Sequence, residues 1–275
     1  LEQELSKDDR GVSDGDRVLE QKGEVNKPRV VGIIQARMSS NRLPGKVLLD
    51  IAGEPMLMRV FTRARRAKRL DEVVIATSVD VEDEPIVRLC EERGVPYSRG
   101  SAMDVLDRFK NTAREYKAEI LVRLTADCPV IDPDLIDQTV DAFLASNPPA
   151  DLAVNRLSWD RTFPIGLDTE VCASSTLEIA WREADELHQR EHVMPFFYEN
   201  PERFLILHVR NDENYGHFRW TVDTAEDLTF IREIYARFDG RDDFTWREVL
   251  ALLEMEPELA EINAHVQHKS HLDVG

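Results

Sequence analysis

Between Val30 and Ala145 short runs rich in β-branched residues alternate with longer stretches of helical period, and this alternation narrows the fold more than any other feature. Val30–Ala36 (VVGIIQA) is apolar throughout, as expected of a strand covered on both faces. Met56–Lys68 follows as a helix entered through Gly53-Glu54-Pro55, Glu72–Thr77 as a strand, and Glu84–Arg93 as a helix stopped by Gly94. Ser101, with Asp104 three residues on, signals the start of a helix over Met103–Lys117. Ile120–Thr125 (ILVRLT) is a third strong strand, and Asp132 with Pro133 opens a helix that runs to about Ala145. Strands separated by helices in this way predict an α/β fold with a mainly parallel sheet.

Asn147-Pro148-Pro149 interrupts the pattern, and regularity falls beyond it. Asp151–Asn155 and Leu167–Cys172 read as strands, with a loop at 156–166 between them. Helices are expected at Thr176–Ala184 and Arg190–Tyr198, and strands at Phe204–Val209 and Phe218–Thr221. A helix over Ala225–Phe238 takes Thr224 as its cap, and Thr245 with Glu248 forms a capping box for Trp246–Leu253. Trp246, Leu250 and Leu253 make a core stripe on that helix. Arg59, Arg63, Arg65, Arg66, Lys68 and Arg69 read as a solvated basic face.

The boundaries are one domain over 29–255, with a less regular lobe at about 151–210, a leader at 1–28 and a tail at 256–275. Residues 1–24 carry eight acids, four bases and few large aliphatics, which predicts a disordered leader or linker. A start at Leu1 rather than Met fits a fragment or a processed product. In the tail His265, His268 and His271 repeat every third residue, as a solvated segment or a weak metal site.

Charge excludes several function classes. With 35 basic and 53 acidic residues the net charge is −18, the wrong sign for a general nucleic-acid binder. No run approaches the roughly 18 apolar residues of a membrane span, and LEQELSKDDRG has no apolar secretory core. Cys90, Cys128 and Cys172 lie far apart, which fits a reducing cytosol and a cytoplasmic protein.

Against that acidic background, Val25–Leu49 holds Lys27, Arg29, Arg37, Arg42 and Lys46 and no acid. The loop from Gln35 to Lys46 follows the first strand, where parallel α/β sheets bind ligands. Guanidinium forks, a lysine point charge and small residues suit a triphosphate cradle, the alternative being a solvated basic loop. It is not a Walker loop, because Gly45-Lys46 is followed by Val47. Asp127 stands at the tip of the third strand and suits Mg²⁺, or else serves as a turn residue before Pro129. Asp223 stands at another strand end, left free if Thr224 is the cap. Two such aspartates beside a basic loop suit in-line attack on a nucleotide phosphate. A glycosyltransferase of the GT-A type is disfavoured, since Asp132-Pro133-Asp134 is better read as helix capping.

IIQARMSSNRLPGKVL, DEVVIATS, DVLDRF, VRLTADCPVIDP, PIGLDTEV, REHV and RWTVDTAEDL together resemble, in order, the cytidylyltransferase family that makes CMP-activated acidic sugars. The likeness is strongest to its spore-coat polysaccharide branch, related to the acylneuraminate and Kdo enzymes, and it runs from about Val30 to Phe238. It implies a Rossmann-like, three-layer nucleotide-diphospho-sugar transferase fold with a smaller dimerisation lobe. It implies that Arg37, Arg42 and Lys46 bind the phosphates of CTP and that Ala36 and the loop backbone approach base and ribose. Thr77 and Arg99 would complete the nucleotide pocket, and Asp127 and Asp223 would hold Mg²⁺ while a sugar hydroxyl attacks the α-phosphorus. Many relatives have glycine at Ser39 and a hydroxyl residue at Asn41; Ser39 still offers its backbone N–H but crowds the loop. The apolar residues of the less regular half, Phe196, Phe197 and Tyr198 among them, exceed what a small lobe buries, and the resemblance also implies a dimer built from that lobe; a homodimer is expected, with its apolar contact mainly between Asp151 and Val209, and with it a link by fusion or pairing to other sugar-pathway enzymes.

Sugar selectivity is expected from the less regular half. Asp168 and Glu170 alternate on one strand face and suit sugar hydroxyls or amino groups, while Arg190 or His192 suits an acidic group. The structural alternative is that Arg190 and Glu191 only decorate a helix. Other readings of the chain are a transferase using another nucleoside triphosphate and a non-catalytic nucleotide-binding regulatory module.

Overall fold

The computed structural model describes residues 27–157 and 159–267. Residues 1–26 of the expected leader, and His268 and His271, lie outside the described residues. The central strand is β1 (Val30–Gln35), paired in parallel with β4 (Glu72–Ser78) on one side and β6 (Ile120–Thr125) on the other. Beyond β4 lies β5 (Tyr97–Gly100). On the far side of β6 come β8 (Glu170–Ala173), β7 (Leu152–Val154) and β9 (Ile206–His208). The order β5-β4-β1-β6-β8-β7-β9 makes a seven-stranded sheet in which β8 runs against the others. The segment 151–210 therefore extends the main sheet with three strands. A short hairpin of β2 (Asp50–Ile51) and β3 (Glu54–Pro55) leads into the helix α1 (Met56–Ala64).

Strand side chains alternate between two buried layers, so the strands read as continuous apolar runs. Val30, Ile34, Ile75 and Val122 pack with α1, α2 (Glu84–Arg93), α4 (Pro133–Ala145), α8 (Ala225–Arg237), α9 (Trp246–Met255) and α10 (Glu258–Glu261). Val31, Ile33, Val74 and Leu121 pack with α3 (Val105–Glu115), α5 (Ser174–Glu183) and α7 (Pro195–Tyr198). The short α6 (Leu187–His192) lies against α3. Each fully buried aliphatic side chain contributes about 1.5–3 kcal/mol of transfer free energy. No helix among the described residues is long and apolar enough to cross a membrane.

Four expectations need correction. The helix expected over Arg190–Tyr198 is broken at Val193, whose φ is 72°, because Pro195 cannot donate a backbone hydrogen bond there. Phe218–Thr221 is no strand but a strap with a single parallel bridge, Arg219 to Ile165, its other backbone groups going to neighbouring loops. Phe196 and Phe197 are buried within their own chain, the Phe197 and Phe204 rings lying 5.0 Å apart, so they are not free for a partner. The basic face of α1 is also partly interior. Arg63 is fully buried and donates to Ile131 O (2.8 Å), Asp242 O (3.0 Å) and Phe244 O (2.9 Å). Arg59 reaches Ile51 O, Ala52 O, Gly240 O and Asp242. A guanidinium fork satisfies several buried carbonyls at once, which is why these charges can be inside.

Candidate functional site

The carboxyl ends of β1 and β6, the loop after β1, the start of β8 and the α6–α7 corner enclose a cleft of about 330 Å³. The loop is pinned at both ends. Met38 N–H donates to the buried Asp83 carboxylate (2.6 Å), which also accepts from the Ser78 hydroxyl (2.5 Å). Gly45, at φ 70°, turns the chain so that its N–H returns to Met38 O (2.9 Å), and the next residue, Lys46, points inward. Ala36, Arg37, Ser39, Arg42 and Lys46 all line the cleft, as the sequence reading expects.

Lys46 is the centre of the site. Its ammonium donates to Asp127 Oδ2, Asp223 Oδ1 and Val222 O, each at 2.8 Å. Burial alone would depress its pKa, but Asp127 and Asp223 outweigh burial and hold it above the ordinary lysine value. Thr224 takes the cap of α8 and leaves Asp223 free of that duty, as expected, but the Asp223 carboxylate is ion-paired. It also meets Arg42 (2.8 Å) and Arg219 (2.6 Å). Burial would raise its pKa, yet Lys46 first, then Arg42 and Arg219, hold it well below the usual carboxylate range. Arg219 is in turn gripped by the fully buried Asp227, which accepts the Asp223 and Thr224 N–H groups and so completes the cap of α8. The strap is stitched to the tip of β6 by Val222 N–H to Asp127 O (2.8 Å) and the Thr221 hydroxyl to the same oxygen (3.0 Å).

Arg37 crosses the cleft to Glu191 on α6 (3.3 Å). Farther along the sheet, Glu170 is buried at the start of β8, paired with Arg123 from β6 and accepting the Tyr198 hydroxyl. Burial would raise the Glu170 pKa, but Arg123 and Arg156 overcome it and keep the carboxyl ionised; burial and then Glu170 push the Tyr198 phenol well up. Asp168 pairs with Arg161 (2.5 Å) and Arg156 (3.6 Å). Asp168, Glu170 and His192 line the cleft as expected.

Three expected residues do not line it. Thr77 is wholly buried inside β4. Arg99 folds back onto Ser78 O (3.0 Å) and Glu84 (2.6 Å), because those acceptors lie beside the end of β5. Arg190 pairs with Asp104 and Trp181 O and serves to pin α6 onto α3. Conversely, Arg108, Arg123, Arg156, Tyr198 and Glu191 line the cleft without being expected from the sequence. A lone arginine inside the apolar run ILVRLT is the available signal for Arg123, since a charge in a buried strand needs a partner.

Among the described residues no group of three or more His, Cys, Asp or Glu forms a metal cage. Asp127 and Asp223 both reach one ammonium at 2.8 Å and are hard oxygen donors. That fits Mg²⁺, which takes one or two protein carboxylates and completes its shell with phosphate and water. Asp132 is confirmed as a cap, accepting from the Asp134 and Leu135 N–H groups of α4.

A family model described as cytidylyltransferase matches residues 31–258. The spore coat polysaccharide biosynthesis protein SpsF of Bacillus subtilis is 32% identical over 238 residues, covering 84% of this chain and 96% of its own. The solved structure of a cytidylyltransferase from Leptospira borgpetersenii is 31% identical with a TM-score of 0.81, covering 89% of this chain and all of that one. CMP:2-keto-3-deoxy-manno-octonic acid synthetase, solved in complex with CTP, shares the fold at a TM-score of 0.58 and 20% identity, over 76% of this chain and 99% of that one.

Proposed function

The chain belongs to the cytidylyltransferase family, and on that premise we propose that it transfers CMP from CTP to a hydroxyl of a sugar or sugar acid, with release of pyrophosphate. The observation that carries this reading is the Lys46 ammonium between Asp127 and Asp223, in one cleft with Arg37 and Arg42. The CTP bound in the solved synthetase and the polysaccharide role named for the Bacillus subtilis relative support the substrate pair and a place in surface polysaccharide or glycan synthesis.

Arg37, Arg42 and Lys46 bind the outer phosphates and neutralise the charge that gathers on the leaving pyrophosphate. The acceptor oxygen bonds to the α-phosphorus as the bond from that phosphorus to the β-bridging oxygen breaks in line. The hydroxyl proton is released and pyrophosphate departs. Asp127 and Asp223 would hold Mg²⁺, which when bound supplies further neutralisation of phosphate charge. Asp168 and Glu170, at the start of β8, and His192, at the end of α6, face the acceptor. We also propose a homodimer; Trp159, Ile179, Leu187 and Leu205, exposed apolar side chains within 151–210, support a contact there. The test is pyrophosphate release across the four nucleoside triphosphates and a panel of neutral and acidic sugars, with and without Mg²⁺. Release with CTP and an acidic sugar is expected; release with another triphosphate only would overturn the choice of CTP.

A further inference from the structure

We propose that Arg108 selects the base: its guanidinium, buried in the cleft wall on the α3 side, donates to the O2 and N3 edge of cytosine. The inference rests on the cytidylyl transfer proposed above.

Arg108 is 2% exposed and yet lines the cleft. Arg37, Arg42, Lys46, Arg123 and Arg156, which line the same cleft, each have a carboxylate partner within 4 Å; among the described residues Arg108 has none. Its Nη1 donates to Ser101 O (2.9 Å), and its Nε is buried without a hydrogen-bond partner. A buried donor in that condition is uncommon in a folded protein and marks a place where a ligand acceptor belongs.

The side chain is also held in place. A Cβ on Gly100 would come within 2.9 Å of Arg108 Cγ, so the bare backbone at the end of β5 leaves room for the arginine stem. The first turn of α3 is capped by Asp104, which Arg190 holds from α6. Ala36 and Val105, both nearly buried, line the same cleft and offer small apolar surface to a flat ring. The order of parts along the sheet agrees. α3 packs on β5, β4 and β1, Lys46 meets Asp127 at the end of β6, and Glu170 lies beyond on β8. A nucleotide with its phosphates on the loop and its acceptor at β8 leaves its base on the α3 side.

The chemistry is one of donors and acceptors. A guanidinium only donates. Cytosine offers O2 and an unprotonated N3 side by side, whereas uracil presents N3–H at the same place. A buried donor opposite that N–H is left unmatched, and unmatched buried polar groups are what give a site strong discrimination. Burial lowers the Arg108 pKa to about 10, with Asp83 opposing the fall, so the group stays charged at neutral pH.

The experiment is calorimetric binding of CTP, UTP and inorganic triphosphate to the full chain and to Arg108→Met and Arg108→Lys. The expected result is that Arg108→Met weakens CTP at least tenfold, brings the CTP-to-UTP preference near unity and leaves triphosphate within twofold. Arg108→Lys keeps the charge but not the fork and should fall between. If triphosphate weakens as much as CTP, Arg108 is a phosphate contact and the proposal is overturned; an unchanged CTP-to-UTP ratio overturns it as well. Should Arg108→Met melt far below the parent, Arg108→Gln and Arg108→Lys carry the same comparison. A parent protein that prefers another triphosphate to CTP counts against the transfer reading itself, whereas a CTP-preferring parent with unaltered ratios in the variants counts against Arg108 alone.

Discussion

Asp223 shows how much one side chain can be asked to do. It meets Lys46, Arg42 and Arg219, and its carboxyl is held well below the usual range by them. A depressed carboxyl pKa contributes stability that is complete above the unfolded value of about 3.9 and is lost as pH falls through the folded one. Asp223→Asn should therefore lower stability at pH 7 by about 1.5–3 kcal/mol, the range for hydrogen bonds to charged groups. The gap from the parent should begin to shrink below about pH 4, where the unfolded parent takes up a proton that the folded Asp223 carboxylate still refuses. Urea midpoints of both chains at pH 7 and pH 3 check this; a gap that widens at pH 3 would contradict it. Arg37 and Lys46 invite a different comparison. Arg37→Ala and Lys46→Ala should weaken CTP much more than CMP, because the role proposed for these two side chains is at the outer phosphates, which CMP lacks. Equal weakening of the two nucleotides would instead place them at ribose or base.

At the scale of elements, α1 is a clamp as much as a layer of the core. Arg63 joins it to Ile131, Asp242 and Phe244, and its guanidinium also lies 4.2 Å from the Phe244 ring. Arg63→Met keeps the bulk but strands these three carbonyls and the longer-bonded Val130 O (3.4 Å), and should cost about 3 kcal/mol or more at 1–3 kcal/mol per unsatisfied buried group, less what water recovers. A melting temperature within two or three degrees of the parent would show the clamp to be dispensable. The sequence signals buried strands well, because β1, β4 and β6 are covered on both faces and cannot carry polar residues freely. It signals the cleft-lining basic loop because five bases without an acid stand out in so acidic a chain. It hides Arg59 and Arg63, since periodicity counts charges and not the carbonyls waiting opposite them. For the same reason Arg99 and Arg190 read as ligand contacts in the sequence: their acceptors, Ser78 O and Asp104, are fixed only by how β5 and α6 pack. Phe218–Thr221 reads as a strand because its hydrogen bonds run to loops distant in sequence, Asp127 O among them, which no local pattern announces.

At the scale of the whole molecule, the antiparallel β8 lets the chain continue the sheet past the cleft and bring Glu170 up to Arg123. The same continuation leaves Trp159, Leu187 and Leu205 exposed on 151–210. A specific dimer contact usually buries about 1,200–2,000 Å² in all. Light scattering at micromolar concentration should give twice the chain mass, and Trp159→Asp with Leu205→Asp should shift it toward one. A stable, active monomer in the parent protein would refute the dimer.

The grip of Asp127 and Asp223 on Lys46 also has a consequence for the order in which ligands can arrive. If these two carboxylates hold the cation as proposed, the tethered ammonium is an intramolecular competitor, and a divalent cation entering alone must first evict it. A triphosphate that draws Lys46 away removes the competitor, and by reciprocity the cation then favours the triphosphate equally. Electron paramagnetic resonance should accordingly find Mn²⁺ weakly bound by the nucleotide-free parent and at least fivefold tighter on Lys46→Met. Equal affinities in the two chains would mean that the lysine guards nothing.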